Sequence, residues 1–321
     1  MAEIQIGDAA MAGFKLVGRR PLSVLAWGLV TALFIALILL LFGGGLAAAV
    51  VDLMRNRGAE PDPAQVFGLV GSIMGAVLLL IVGLTVIGAM IQGAVFRAEL
   101  SPEKRGVAYL QFGSQELWLI AVNFVMGVVL WVAQLVMSIP LVIITVMLGV
   151  SGAGLGADNH NPGASMSFLA GAVGIRIIGQ LVIAVVTGWL WVRLCLGTVI
   201  SFRERQFRLF ESWSMTKGHG LQMFLVMLLV VLMLAVLYIV AAVIMFSGVA
   251  GTAMANADLK DPAVLAALAP GAIIGRFAAV IAIGGILMVI FTGVMNAMTW
   301  GAVARMYLQL NPPDDVAKTF A

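Results

Sequence analysis

The chain has 321 residues, 62% of them hydrophobic and 10% charged, with a net charge of +3 and a mean hydropathy of +1.12. Soluble domains carry about 25% charged residues, so the composition excludes a soluble enzyme and predicts an all-α integral membrane protein. The small net charge belongs to basic ends and loops and excludes a nucleic-acid partner.

A membrane-crossing helix needs about 20 apolar residues. The chain begins with a stretch, 11–17, that mixes apolar and charged residues at helical spacing and predicts an amphipathic elbow helix at the membrane interface. Residues 21–51 then run without Asp, Glu, Lys, Arg or His. That is too long for a signal peptide, so it reads as a retained first span. Residues 63–96 form the second span and 117–157 the third, with Pro140 inside it as a predicted kink. The fourth, 167–200, contains Arg176 and Arg193. These lie about 25 Å apart along a helix, close to the hydrocarbon thickness, so each guanidinium can reach its own interface. Residues 207–213 predict another elbow helix, and 220–257 and 277–304 complete six spans. The connections at 57–63, 151–163 and 258–262 are short and turn-rich.

Thirteen of the 18 basic residues fall on the side that holds both termini. The positive-inside rule makes that side cytoplasmic and predicts a multi-pass protein of a cell's inner membrane, N-in and C-in. Trp118, Trp189, Trp191, Trp213 and Trp300 fall near the same ends of their spans and predict an aromatic belt.

Each odd span follows a similar segment, with an aromatic residue and a leucine eight positions later: Phe14 to Leu22, Tyr109 to Leu117, Trp213 to Leu221. Two even spans share Gly-Ala-x-x-x-Arg, at Gly171 to Arg176 and Gly271 to Arg276. The chain therefore reads as one polytopic domain, 1–321, of three parallel units over about 8–100, 103–203 and 204–308, each an elbow helix plus a two-span hairpin.

Between the fourth and fifth spans the chain reads Arg203-Glu-Arg-Gln-Phe-Arg-Leu-Phe-Glu-Ser-Trp-Ser-Met-Thr-Lys-Gly218. Its core, Ser212-Trp213-x-x-Thr216-x-Gly218 with Glu204 upstream, resembles a motif of uncharacterised bacterial six-helix membrane proteins. Those are related to the membrane domain attached to some glycerophosphoryl diester phosphodiesterases. The resemblance covers most of the chain in topology and this one stretch in motif. It implies elbow helices ahead of paired spans. It implies no catalysis, because in the phosphodiesterases the chemistry resides in a separate soluble barrel.

Ionisable groups inside spans are candidate sites. Arg193 can pair with Glu204 or Glu211, or hold a lipid phosphate. Arg176 and Arg276 can form a matched pair facing a central cavity, or two interfacial anchors. Arg205, Arg208, Trp213 and Lys217 form a basic, aromatic stretch suited to anionic lipid headgroups. Gln92, Asn123, Gln134, Gln180 and Asn296 lie mid-span, as hydrogen-bonding glue between helices or as the lining of a pathway. Gly71-x-x-x-Gly75 and Gly284-Gly285 are candidate close helix contacts. Cys195 reads as a packed thiol. His160 and His219 fall on opposite sides of the bilayer, and the glycines at 152–156 lack the lysine of a phosphate loop. No metal or other cofactor is expected.

The leading expectation is thus a non-enzymatic membrane protein with a lipid-contacting or scaffold role. A transporter with a polar pathway between the hairpins, near Pro140, Arg176, Arg193 and Arg276, is the alternative. A membrane-interface enzyme is the third reading, and Glu204, Glu211 and His219 are its only plausible cluster.

Overall fold

A computed structural model describes residues 4–55, 63–101, 107–156, 162–256 and 275–311. Among them are eight α-helices and no strand: α1 (Ile6–Arg19), α2 (Pro21–Arg55), α3 (Pro63–Leu100), α4 (Ser114–Gly156), α5 (Pro162–Glu204), α6 (Glu211–Met215), α7 (Gly220–Ala255) and α8 (Ala278–Leu310). All but α1 and α6 are long and apolar enough to cross a membrane, which makes the chain a multi-pass membrane protein. In hydrocarbon every backbone N–H and C=O must be satisfied internally, so long runs of Leu, Ile, Val, Ala and Gly form helices there despite their glycines.

The helices outrun the apolar windows. α4 and α5 have 43 residues each, about 65 Å of helix against about 30 Å of hydrocarbon. Residues 151–156, expected to turn, are the last turns of α4. Pro140 lies within α4, which runs on across it. His160, Lys104, Arg105, Lys260, Lys318 and the Gly271-Ala272 pair lie outside the described residues.

Consecutive spans pack as three helical pairs, α2 with α3, α4 with α5, and α7 with α8, and α8 also touches α1, α2, α3 and α5. Glycine makes α8 the hub. A Cβ added at Gly28 would overlap the Val289 carbonyl, one at Gly293 would overlap the Val24 carbonyl, and one at Gly13 would overlap the Met298 backbone. At Gly301 it would lie 3.1 Å from the Cα of Gly13. These contacts bring α2 and α1 against α8 backbone to backbone. The glycine pairs expected as close helix contacts make no such backbone crossing. A Cβ on Gly71 or Gly285 meets no atom within 4 Å, and those on Gly75 and Gly284 meet only side chains. A small-residue spacing marks a possible contact, but the tertiary crossing point decides which glycines need to lack a side chain.

The segments ahead of the three pairs also differ from the expected set of elbow helices. Among the described residues the first is α1, 14 residues long; the second shows a 3-10 turn, Val107–Tyr109; the third is α6, five residues long. α1 is amphipathic as predicted, but Ala9, Ala10, Ala12, Gly13 and Leu16 are buried against α7, α8 and the start of α2. Its apolar face packs on protein rather than on lipid.

Asp8 fixes the other side of α1. Its carboxylate accepts from Lys15 Nζ at 2.6 Å, Arg305 Nε at 2.7 Å and Gln309 Nε2 at 3.2 Å. The first and last described helices thus meet on one side of the bundle, called here the α1 face. The Lys15 and Arg305 hydrogen bonds hold the Asp8 carboxyl down to about 2. A depressed carboxyl pKa stabilises the fold above its unfolded value and loses that effect as pH falls through its folded value. Asp8→Asn should therefore cost about 1 kcal/mol at neutral pH, given the partial exposure of all three partners. The difference from wild type should vanish as pH falls from about 4 to about 2 in detergent-solubilised unfolding measurements.

The largest core lies near the α1 face and joins Ala9, Phe96, Leu119, Leu196, Met223 and Met306. Further along the spans, large apolar side chains point outward, such as Leu40 on α2 and Phe246 on α7. Such a surface is stable only against lipid. Part of the expected aromatic belt turns inward: Trp300 packs on Trp191 and Phe96, with ring centroids 6.3 and 6.1 Å apart.

Candidate functional site

Three polar sites interrupt the apolar bundle. The first gathers the Ser-Trp-x-x-Thr motif around Arg193 near the end of α5. Arg193 Nη1 donates to the Thr216 carbonyl and to Thr216 Oγ1, both at 3.1 Å. Its guanidinium lies 5.2 Å from the Trp189 ring and 5.5 Å from the Trp213 ring. The Ser212 hydroxyl donates to the Arg193 carbonyl. Gly218 follows with φ +83°, a conformation suited to glycine, and the chain turns into α7. The motif is thus a clamp on one arginine. The expected carboxylate partners are elsewhere: Glu204 and Glu211 both bind Arg208, at 2.7 and 2.9 Å. A hydroxyl, a carbonyl and two indole faces hold Arg193 instead, because α6 brings Thr216 to it while Arg208 takes both acids in its own turn.

Arg203, Arg205 and Lys217 remain exposed around this clamp, with Phe207, Phe210 and Trp213 also exposed. Cations beside exposed aromatics suit a bilayer's headgroup zone. His219 contacts Gln222 Oε1 through Nδ1 at 3.2 Å. Glu204 and Glu211 thus share Arg208 while His219 contacts Gln222, and the three do not pair with one another. Among the described residues no group of His, Cys, Asp or Glu has metal-binding geometry.

The second site closes the α3–α4 connection. Arg97, in the last turn of α3, forms an ion pair with Glu116, in the first turn of α4, and both are buried. Arg97 Nη1 also donates to the Tyr109 carbonyl at 2.9 Å, and Glu116 Oε2 accepts from the Gly113 N–H at 2.8 Å. The Arg97 guanidinium lies 5.4 Å from the Phe202 ring. Ala108 and Tyr109 take positive φ. This turns the Ala108 carbonyl to Trp27 Nε1, 2.8 Å away, and the Tyr109 carbonyl to Arg97. In sequence Arg97 is one of the thirteen basic residues on the side of the termini. Glu99, Glu103, Lys104 and Arg105 lie between Arg97 and Glu116 in the chain, so charge order alone does not pair the two.

The third site lies deeper. A groove of about 600 Å³ is lined by one helix from each pair, α3, α4 and α8. Its polar lining is Thr85 and Gln92 from α3, Asn123 from α4, and Asn296 and Thr299 from α8. Trp131, Trp300 and Phe124 supply aromatic surface, and no charged residue lines it. Asn123 Nδ2 donates to Gln92 Oε1 at 2.6 Å, and Asn296 Nδ2 donates to the Thr292 carbonyl at 2.9 Å. Gln92 is buried, and its Nε2 has no hydrogen-bond partner. Phe124 and Trp131 are 67% and 62% exposed although both lie within a span, so the groove opens sideways toward hydrocarbon.

Three of the five mid-span amides thus converge, whereas Gln134 and Gln180 lie exposed on α4 and α5. Arg176, Arg193, Arg276 and Pro140 do not line the groove. Arg176 is exposed on α5, and Arg276 is half-buried just ahead of α8. The chain matches no family model, no curated protein and no solved structure.

Proposed function

We propose that this chain is a non-enzymatic inner-membrane protein that binds a lipid-like amphiphile in the groove where its three helical pairs meet. The convergence of Gln92, Asn123 and Asn296 within a hydrocarbon-facing groove carries this reading. Polar side chains within spans are costly and concentrate where they bind each other or a ligand. The basic bias supports a cytoplasmic α1 face with both termini inside. The three helical pairs support parallel repeats over 8–100, 103–203 and 204–308. The exposed Arg203, Arg205 and Lys217 beside Trp213 support contact with anionic headgroups. The Arg193 clamp gives Ser212, Trp213, Thr216 and Gly218 one shared task, the turn from α5 into α7 around a single guanidinium. It supports a structural role for that motif rather than a catalytic one.

A carrier that moves its amphiphile along the same groove is the second reading, favoured by the lining from all three pairs. For either, filling the groove is the direct test. Gly88 and Gly127 line it, and a Cβ at either position meets no atom within 4 Å. Gly127→Leu should fold as well as wild type, because leucine is also the better helix former. Mass spectrometry of protein purified in mild detergent should find a co-purifying amphiphile in wild type and at least tenfold less in Gly127→Leu. Equal amphiphile content in the two would end the proposal.

A further inference from the structure

We infer that the groove ligand is a glycerolipid whose ester carbonyl accepts a hydrogen bond from Gln92 Nε2. This rests on reading the groove as a binding site and goes further in naming the chemistry. Among the described residues four buried side-chain polar atoms have no partner, and of the residues that carry them only Gln92 lines the groove. An unpaired amide N–H in low dielectric is costly and selects an acceptor. The amide carbonyl of Gln92 already accepts from Asn123, so the group left without a partner is the amide N–H, which calls for an acceptor.

Charge narrows the class. No Lys, Arg, Asp, Glu or His lines the groove, so it does not select a phosphate or an ammonium group. Depth narrows it again. Gln92 is five residues along α3 from Arg97, about 7.5 Å further from the α1 face. The headgroup layer of a leaflet is about 6 Å thick. With Arg97 and Glu116 at headgroup level, Gln92 lies where ester carbonyls sit. From Gln92 the groove follows α3 to Leu84, about 12 Å, past Trp131 and Phe124 on α4. That is an apolar path for one acyl chain.

The test compares matched short-chain probes on the full-length protein in detergent: 1,2-dioctanoylglycerol, its 1,2-di-O-octyl ether, which lacks both carbonyls, and decylubiquinone, a carbonyl source of different shape. Wild type should bind the diester about tenfold more tightly than the diether, the scale of one hydrogen bond in an apolar site. Gln92→Leu should remove that preference by weakening only the diester. Gly127→Leu should weaken both, with Gly71→Leu, on the same helix as Gln92 but outside the groove lining, as a binding-neutral control. Equal binding of diester and diether, or an unchanged preference in Gln92→Leu, would overturn the ester assignment and leave the groove reading intact. Tighter binding of decylubiquinone than of the diester would also overturn it. No binding of any probe by folded wild-type protein would overturn both. Since Gln92→Leu also removes the acceptor of Asn123, Asn123→Leu is the second variant. It breaks the same Gln92–Asn123 bond but keeps the Gln92 amide donor, and should retain the diester preference; loss of the preference there would also overturn the ester assignment.

Discussion

Gly28→Leu should abolish assembly of the folded protein. α2 and α8 cross where Gly28 faces Val289 and Gly293 faces Val24, each glycine against a backbone carbonyl. No side-chain rearrangement can make room there, because the obstacle is the partner helix itself. The helices would have to separate by more than an ångström along the hub that also holds α1 and α7. Overpacking a core costs about 1–3 kcal/mol when side chains can yield and more when they cannot. We expect a loss above about 3 kcal/mol, seen as aggregation or absence of a monodisperse peak on size-exclusion chromatography in detergent. Gly71→Leu supplies the contrast, since a Cβ there meets nothing within 4 Å. It should run as wild type. If Gly28→Leu also does, α2 and α8 do not cross at these glycines.

Glu116→Ala should be the most damaging single change among the charged residues. It leaves the Arg97 guanidinium buried without its counter-charge and the Gly113 N–H without its acceptor. Removing one partner of a buried ion pair costs about 3–5 kcal/mol. The pair itself is worth much less, because its attraction is set against the desolvation of both ions. The double substitution Arg97→Met with Glu116→Leu should therefore recover most of the stability lost in Glu116→Ala. Unfolding midpoints of the two variants and the wild type, measured in the same detergent, test this. A double variant as unstable as Glu116→Ala would mean that the Arg97 bond to the Tyr109 carbonyl, rather than the ion pair, holds the α3–α4 turn. Arg208 gives the opposite case. Its pairs with Glu204 and Glu211 are exposed on both sides, and exposed pairs contribute about 0–1 kcal/mol.

How far the residues could be read in advance depended on the range of the interaction. Span number followed from local apolar runs, because one helix satisfies its own backbone in lipid, whereas α4 and α5 run on past the expected limits. The amphipathic character of α1 was equally local; what its apolar face packs on was not, since that depends on α7 and α8 folding back over it. Arg193 stood out as a charge within a span, but its partner did not. Thr216 is 23 residues away, and only the short α6 brings it near. Gln92, Asn123 and Asn296 were visible as mid-span amides, indistinguishable from Gln134 and Gln180. Three face the junction of the helical pairs and two face outward, and that is fixed by helix rotation, to which composition is blind.

The sequence alone determined that this is an all-helical protein with six membrane spans, because length and hydropathy act helix by helix. Its sorted charges also pointed to one orientation across the bilayer. The tertiary structure alone decided which glycines are crossing points, which arginine is clamped and which is paired, and that three amides share a groove. Each of those facts depends on contacts between helices far apart in the chain. Among helices that are nearly uniformly apolar, the hydrophobic pattern does not say which side of each faces its neighbours.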